Sequence, residues 1–461
     1  MKLIVIGGGP AGMAAAVTAK EHGVEDVMLL ERHDYLGGVL PQCIHNGFGT
    51  QLYERDYTGG EYAWLWKEKT ERAGVDVMLN TTVLSVSRPG TPDEVVQSSS
   101  DRNVADADTA GSSEAGDWLV KCVSAKLGAK ELEADAVIIA TGCRERTLPQ
   151  MLIPGSRPAG VFTAGAAQLM MNMKNYLPGR SAVVLGSGDI GLIMARRMTL
   201  EGINVKMILG QEATGLARNI VQCVEDYDIP MRYGWTVVST HGYERLKGVT
   251  IAPFDEDGRP DRTRSQYIQC DTLLVATGLI PELEICNGFD VNEMRSSGLF
   301  VCGNANRVHD LADHVTEEGM DIGRQAAAYL GKGTSYVSDG LSGRSPELTG
   351  KQGNMICTVC PKGCVMQVER VPFTVSGNQC DRGEAFARQE LESPKRVVTA
   401  IVKAGDSTVS VRTDRPIDKA DIFKVMKAVK RVKAETPVAP GQVVASDIAG
   451  TGADLVATWY V

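Results

Sequence analysis

Four cysteines crowd into one short stretch. Cys357, Cys360, Cys364 and Cys380 are spaced C-x2-C-P-x-G-C, followed by fifteen residues and a last cysteine. Thiolates at such spacings can share one metal centre, with the close triplet wrapping one side and the distant Cys closing it. Structural zinc prefers two paired C-x-x-C knuckles, and the second pair is absent. Ligand spacing and softness therefore favour a 4Fe–4S cluster, with zinc as the alternative. The chain has 11 Cys in all. The remainder are scattered (Cys43, Cys122, Cys143, Cys223, Cys270, Cys286, Cys302) and read mostly as small buried apolar residues of a reducing compartment.

Two glycine turns carry a second kind of chemistry. The apolar run Lys2 to Ile6 leads into Gly7-Gly8-Gly9-Pro10-Ala11-Gly12, then helical spacing from Met13 to His22. A second apolar run, Val27 to Leu30, ends at Glu31. Strand, GxGxxG, helix, strand and acid suit a dinucleotide. Gly7 allows the tight turn, Gly9 lets the backbone approach a pyrophosphate, and Gly12 lets helix and strand pack closely. The helix N-terminus offers N–H groups to the phosphates. Glu31 lies 31 − 7 = 24 residues beyond Gly7, where a carboxylate accepts ribose hydroxyls. The arrangement repeats: Ala182 to Leu185, then Gly186-Ser187-Gly188-Asp189-Ile190-Gly191, a helix to Leu200 and a strand from Val205 to Leu209. The same offset now falls on Gly210, with Gln211 and Glu212 beyond it. No Arg pair stands there for a 2′-phosphate, so NAD(H) is favoured over NADP(H).

Three further segments complete the pattern. Ala136 to Gly142 reads AVIIATG and Thr272 to Gly278 reads TLLVATG. Gly298 to Asn304 reads GLFVCGN, and a helical pattern follows from about Leu311 to Leu330. The chain resembles the two-dinucleotide flavoprotein reductases, the superfamily of glutathione and thioredoxin reductases and NADH oxidases. That resemblance implies an α/β fold with two Rossmann-like dinucleotide-binding domains, plus a small C-terminal α+β Cys-rich domain outside it. It implies FAD on Gly7, Gly9, Gly12, Glu31, Arg32, Gly38, Ala140, Thr141, Gly142, Gly303 and Asn304. It implies the nicotinamide nucleotide on Gly186, Gly188, Asp189, Ile190, Gly191 and Gly278. The family has Gly-Asp after the last strand, where this chain has Gly303-Asn304. By the same resemblance, the helix containing Asp313 and His314 points its N-terminus at the flavin N1–C2=O edge and stabilises the anionic reduced flavin. Disulfide reductases carry two cysteines beside the flavin, but Gly37 to Gly49 holds Cys43 alone. A flavin-linked dithiol is not expected. Cys43 is the candidate catalytic residue, with a packing role as the alternative. For His45 and the pairs His309-Asp310 and Asp313-His314, functional and structural readings both stand.

A narrower likeness rests on QCIHNGFG, on Thr58-Gly59-Gly60-Glu61-Tyr62-Ala63 and on GSGDIGLIMARR. These resemble the electron-transfer flavoprotein beside anaerobic glycerol-3-phosphate dehydrogenases. The cysteine cluster, with Asn378, Gln379, Asp381, Arg382 and Gly383 around its last member, resembles the small Cys-rich domain of the same operons. It also resembles the 4Fe–4S site at the start of molybdopterin oxidoreductases. The implied function is electron transfer between NAD(P)H, FAD, a cluster and a partner dehydrogenase, with a dehydrogenase of glycerol 3-phosphate as the candidate. The alternative is a stand-alone NAD(P)H oxidase or reductase with a structural zinc tail.

The expected organisation is an FAD domain over 1–155 and 279–335, with a flexible insert at 90–117. An NAD(P) domain covers 156–278, a linker 336–352 and the Cys-rich domain 353–461. Of 461 residues, 48 are Lys or Arg and 57 Asp or Glu, a net charge of −9, and this argues against a nucleic-acid partner. No apolar run reaches the roughly 18 residues of a membrane span. The apolar start, Met1 to Ala19, is interrupted by its glycine turn and reads as strand, turn and helix rather than a leader. A cytoplasmic location is expected, and the oligomeric state is open.

Overall fold

The computed structural model describes residues 1–88, 118–286, 294–332 and 354–461. The expected insert at 90–117 and linker at 336–352 lie outside the described residues. The α-helices are α1 (Pro10–Glu21), α2 (Gly59–Arg72), α3 (Ala164–Met173), α4 (Asp189–Leu200), α5 (Ala217–Cys223), α6 (Ala312–Tyr329), α7 (Asp381–Glu392) and α8 (Ile422–Val429).

The chain divides into two compact units. The first comprises Met1–Gly38, Leu65–Cys143 and Pro281–Leu341. Its core is a parallel sheet in the order Leu299–Val301, Ala136–Ile139, Lys2–Ile6, Asp26–Leu30, Asp76–Met78. A parallel strand covered on both faces needs an unbroken apolar run. Leu3, Ile4, Val5 and all of Ala136–Ile139 are accordingly buried. Helix α1 starts at Pro10, three residues before the expected Met13, because a proline at the first helical position is pre-set for the turn. Helix α6 crosses α1 so closely that a Cβ on Gly319 would lie 2.3 Å from the Ala11 carbonyl oxygen, and one on Gly323 would lie 2.5 Å from that of Ala15.

The second unit comprises Val39–Trp64, Arg144–Ile280 and Ser342–Val461. Its parallel sheet runs Val161–Thr163, Thr272–Val275, Ser181–Leu185, Asn204–Gly210, Met231–Tyr233. Four strands of this order repeat those of the first sheet, from Ala136–Ile139 and Thr272–Val275 to Asp76–Met78 and Met231–Tyr233, but the edge strand differs: Leu299–Val301 comes last in its unit and Val161–Thr163 comes first. Each sheet is accompanied by a three-stranded antiparallel sheet, Thr81–Ser87 with Trp118–Ser124 and Gly128–Ala134 in one unit, and Trp235–Gly242 with Leu246–Pro253 and Gln266–Gln269 in the other.

Two stretches join the second unit by contact. One is Val39–Trp64. The other is the C-terminal part, a hairpin-based cysteine segment, α7, and a five-stranded sheet centred on Thr399–Ala404 and Ser407–Thr413 with α8 against it. Leu200 of α4 shares the apolar cluster of this sheet with Val398, Val402, Val425 and Leu455. Buried Arg396 bridges Asp226 at 2.6 Å and Glu390 at 2.7 Å. Helix α8 is preceded directly by a 3-10 turn at Lys419–Asp421. Helix α7 has a polar sequence whose buried residues are only Gly383 and Ala387, so its apolar stripe is too thin to read.

Candidate functional site

Every residue expected to hold FAD falls in the first unit, around the N-terminus of α1. Gly7 has φ +110°, and a Cβ there would lie 2.3 Å from the Ala140 carbonyl oxygen. A Cβ on Gly12 would lie 1.9 Å from the Gly7 carbonyl oxygen. Gly9 differs: a Cβ there meets nothing within 4 Å, so open space lies before the helix N–H groups. Gly38, at φ +57°, packs on Gly9, and Gly37 N–H donates to the Gly8 carbonyl at 2.8 Å. Buried Glu31 accepts from Gly8 N–H at 2.7 Å and from His33 N–H at 2.8 Å. Arg32 is exposed. Thr141 donates to the Glu282 carbonyl at 2.5 Å, and a Cβ on Gly142 would again meet open space.

Gly303, at φ +65°, sits against the side chain of Ala11. Asn304 uses its Oδ1 internally, accepting from His309 N–H at 3.0 Å. The buried carboxylate of Glu318 accepts from Gly303 N–H at 3.2 Å, from Asn306 Nδ2 at 2.5 Å and from the His309 ring. Glu318 was not legible in the sequence, where it is one acid of the helical run TEEG. His309 thus has a partner on α6, and its ring stands 6.4 Å from that of His314.

The nicotinamide candidates fall together in the second unit. A Cβ on Gly186 (φ +124°) would lie 2.0 Å from the Ala276 carbonyl oxygen, and one on Gly191 would lie 2.4 Å from that of Gly186. At Gly188 the nearest atom is Thr214 Oγ1, at 3.7 Å. Asp189 accepts from Leu216 N–H at 2.7 Å and Asn219 Nδ2 at 2.9 Å, tying the turn to the start of α5. Ile190 packs into the core beneath. Gly278, at φ +116°, accepts from Arg146 N–H at 2.9 Å.

Cys43 follows the 3-10 turn Leu40–Gln42. Its thiol faces the Val39 carbonyl at 3.3 Å and Gln168 Oε1 at 3.6 Å. Burial pushes this thiol up to about 12, so it is protonated at neutral pH. The Gln168 Nε2 is buried without a hydrogen-bond partner. His45 is pushed down to about 4 by burial and is neutral, its Nδ1 lying 3.0 Å from the Asn46 carbonyl. All 11 cysteines are free thiols.

In the cysteine segment, Cys357 N–H donates to the Cys364 carbonyl at 2.9 Å across the hairpin of Met355–Ile356 and Val365–Arg370. Cys380 caps α7. Arg382 beside it holds its thiol below the usual range. Burial raises the Cys357 thiol, and Cys364, Cys360 and Cys380 are near enough to raise it further. Among the described residues, no group of three or more His, Cys, Asp or Glu is arranged to hold a metal ion. The hairpin lies on α5: Gln222 donates to Thr358 at 2.8 Å, and a Cβ on Gly363 would lie 2.8 Å from that of Ala217.

Residues 1–305 match the model of the pyridine nucleotide-disulphide oxidoreductase family. The chain belongs to this family. Membership makes the dinucleotide part that of an FAD- and NAD(P)-dependent oxidoreductase. Residues 381–459 match a second model, described as a protein of unknown function, DUF1667. Hydrogen cyanide synthase subunit HcnB of Pseudomonas protegens is 26% identical over 325 residues, 66% of this chain and 62% of that protein. An opine oxidase subunit of Agrobacterium tumefaciens is 32% identical over 204 residues, 44% of this chain and 35% of that one. The chain therefore spans less than two thirds of either relative. Thioredoxin reductase of T. acidophilum shares the fold with a TM-score of 0.53 at 18% identity, over 71% of this chain and 97% of that one. No described helix is long and apolar enough to cross a membrane.

The residues present fit FAD. The open space at Gly9 admits a pyrophosphate to the α1 N-terminus, and the buried Glu31 carboxylate stands at the strand end where a ribose would lie. Gly188 offers the equivalent opening on α4.

Proposed function

We propose that this chain is an oxidoreductase subunit that passes electrons between NAD(H), FAD, a 4Fe–4S centre on Cys357, Cys360, Cys364 and Cys380, and a partner dehydrogenase. The observation that carries the reading is the pair of open glycine cradles, Gly9 and Gly188, each at a helix N-terminus on parallel sheets that share four strands in the same order. FAD supplies the chemistry that joins two-electron exchange with nicotinamide to one-electron exchange with a metal centre. Gly7, Gly9, Gly12, Glu31, Gly38, Thr141, Gly142, Gly303 and Asn304 would hold it. Gly186, Gly188 and Gly191 would hold the nicotinamide nucleotide. The four thiols offer soft donors at spacings suited to a cluster. A partner accords with the relatives, which are named as enzyme subunits. The partner we favour is a glycerol-3-phosphate dehydrogenase, by the likeness of QCIHNGFG and the cysteine segment. The scattered cysteines outside that cluster, none in a disulfide, accord with a cytoplasmic location.

A second reading, a stand-alone NAD(P)H oxidase or reductase with a zinc tail, is favoured by the docking of the cysteine hairpin on α5. Anaerobic purification with iron, sulfide and zinc analysis separates the two. The relay predicts near-stoichiometric iron and sulfide, both lost in Cys364→Ala, with NADH still bleaching the flavin. Stoichiometric zinc without iron replaces it with the second reading.

A further inference from the structure

We propose that the C-terminal module, Arg396 to Val461, is a clamp on the Cys43 turn, with Arg412 and Glu61 as positioning residues. The inference concerns a part of the chain whose matched family has no described function. It stands without the electron-transfer reading.

Arg412, on the strand Ser407–Thr413, donates through Nε to Glu61 Oε1 at 2.8 Å. The two side chains are 23% and 17% exposed, so water screens the pair only partly. The other Glu61 oxygen accepts from Thr58 N–H at 2.8 Å and from its hydroxyl at 3.0 Å. Glu61 N–H donates back to the Thr58 hydroxyl at 3.3 Å. This is a reciprocal cap, and it fixes where α2 begins. Gly59, next to Thr58, donates its N–H to the Cys43 carbonyl at 2.8 Å. A Cβ on Gly59 would lie 2.4 Å from the Leu40 carbonyl oxygen and 2.6 Å from the Cys43 Cβ. The start of α2 is therefore pressed against the backbone of the Cys43 turn, and three links join that turn to Arg412.

A second contact falls at the neighbouring residue. A Cβ on Gly60 would lie 2.7 Å from the Thr458 carbonyl oxygen. Thr458 is itself fixed, fully buried, with its N–H and hydroxyl both bonded to Ser410, at 2.8 Å and 2.7 Å. The rings of Trp64 and Tyr460 lie 5.4 Å apart, tilted by 57°.

The module also reaches the other side of the turn. Asn172 of α3 donates to the Gln42 carbonyl at 2.8 Å and accepts from Arg197 Nε at 2.9 Å. Arg197 pairs with Glu201 at 2.8 Å, and Glu201 with Lys430 of the module at 3.4 Å. Thr408 donates to the Met173 carbonyl at the end of α3 at 3.1 Å. The segment that carries Cys43 is thus held between α3 and α2, and the module braces both.

The test uses the full chain and peptide-resolved alkylation with iodoacetamide, with Cys223 and Cys270, both buried in the same unit, as internal references. Arg412→Met should speed alkylation of Cys43 roughly tenfold, the size expected when one charge-assisted hydrogen bond against local opening is lost. Cys223 and Cys270 should not change. Arg412→Lys should restore most of the protection. Glu61→Gln should give the same signature, and the double variant should be no faster than either single one. An unchanged Cys43 rate in Arg412→Met overturns the clamp. So does a rise shared equally by Cys223 and Cys270 in both single variants, because that is loss of the fold rather than release of one turn.

Discussion

The two glycine turns share one backbone and differ in how they use one pocket of space. Gly9 and Gly188 have nearly the same conformation, φ −76° and −75°. Gly7 and Gly186 press on the carbonyls of Ala140 and Ala276, and Gly12 and Gly191 on those of Gly7 and Gly186. The second glycine position and the strand end are exchanged. In the first turn the pair is Gly8 and Glu31, and a Cβ on Gly8 would lie 2.9 Å from Glu31 Oε2. In the second the pair is Ser187 and Gly210, and a Cβ on Gly210 would lie 2.2 Å from Ser187 Oγ. The same space is filled from the strand end in one turn and from the loop in the other. The missing acid at Gly210 is thus a consequence of Ser187, whose hydroxyl donates to the Glu212 carbonyl at 2.5 Å.

The largest effects should come from the positions the turns have in common. Valine at Gly9 or Gly188 requires no unusual φ, and its Cβ meets at most an ordinary contact. Each variant should fold, with its cradle filled. Gly9→Val should purify without FAD and keep its far-ultraviolet circular dichroism. Gly188→Val should retain FAD yet show no bleaching by NADH. If both variants lost FAD, or neither did, the two turns would not divide the nucleotides as proposed.

The next effect should distinguish the turns. Glu31→Gln leaves the shape but removes the charge that receives Gly8 and His33 N–H groups and would receive the ribose. Charged hydrogen bonds of this kind are worth about 1.5–3 kcal/mol. FAD affinity, measured by fluorescence on reconstitution, should fall about 10- to 100-fold. NADH affinity should not move. An equal loss at both sites would mean that Glu31 acts on folding rather than on FAD.

Much of this was legible because glycine leaves a trace in sequence wherever a carbonyl comes within 2–3 Å of where its Cβ would stand. Gly7, Gly12, Gly186 and Gly191 are of that kind, and the buried strands between them read as plain apolar runs. The sequence also located the four cysteines, since ligand spacing is a local property. It could not give the relative placement of their sulfur atoms. Glu318 carries no mark in the sequence, because burial of a polar side chain depends on what packs over it. The pair Glu61–Arg412 spans 351 residues and has no local signature. Helix α7 was hidden by its polar composition. What the sequence withheld is chiefly long-range polar pairing, which no periodicity reports.

The smallest expected effect tests the exchange itself. Gly210→Glu alone should not create a ribose acceptor, because its Cβ would collide with Ser187. Overpacking of this kind costs about 1–3 kcal/mol, so the melting temperature should fall by several degrees. Ser187→Gly alone forfeits a hydrogen bond worth roughly 1 kcal/mol and should be milder. Together they rebuild the arrangement of Gly8 and Glu31, with the new carboxylate free to accept from the residue 187 N–H. The double variant should therefore be more stable than Gly210→Glu, although it carries one more change. It should also bind NADH several-fold more tightly than the unaltered chain, with no gain for NADPH, whose 2′-phosphate the carboxylate repels. Additive losses of stability with unchanged NADH affinity would show that the two turns differ by more than this one exchange.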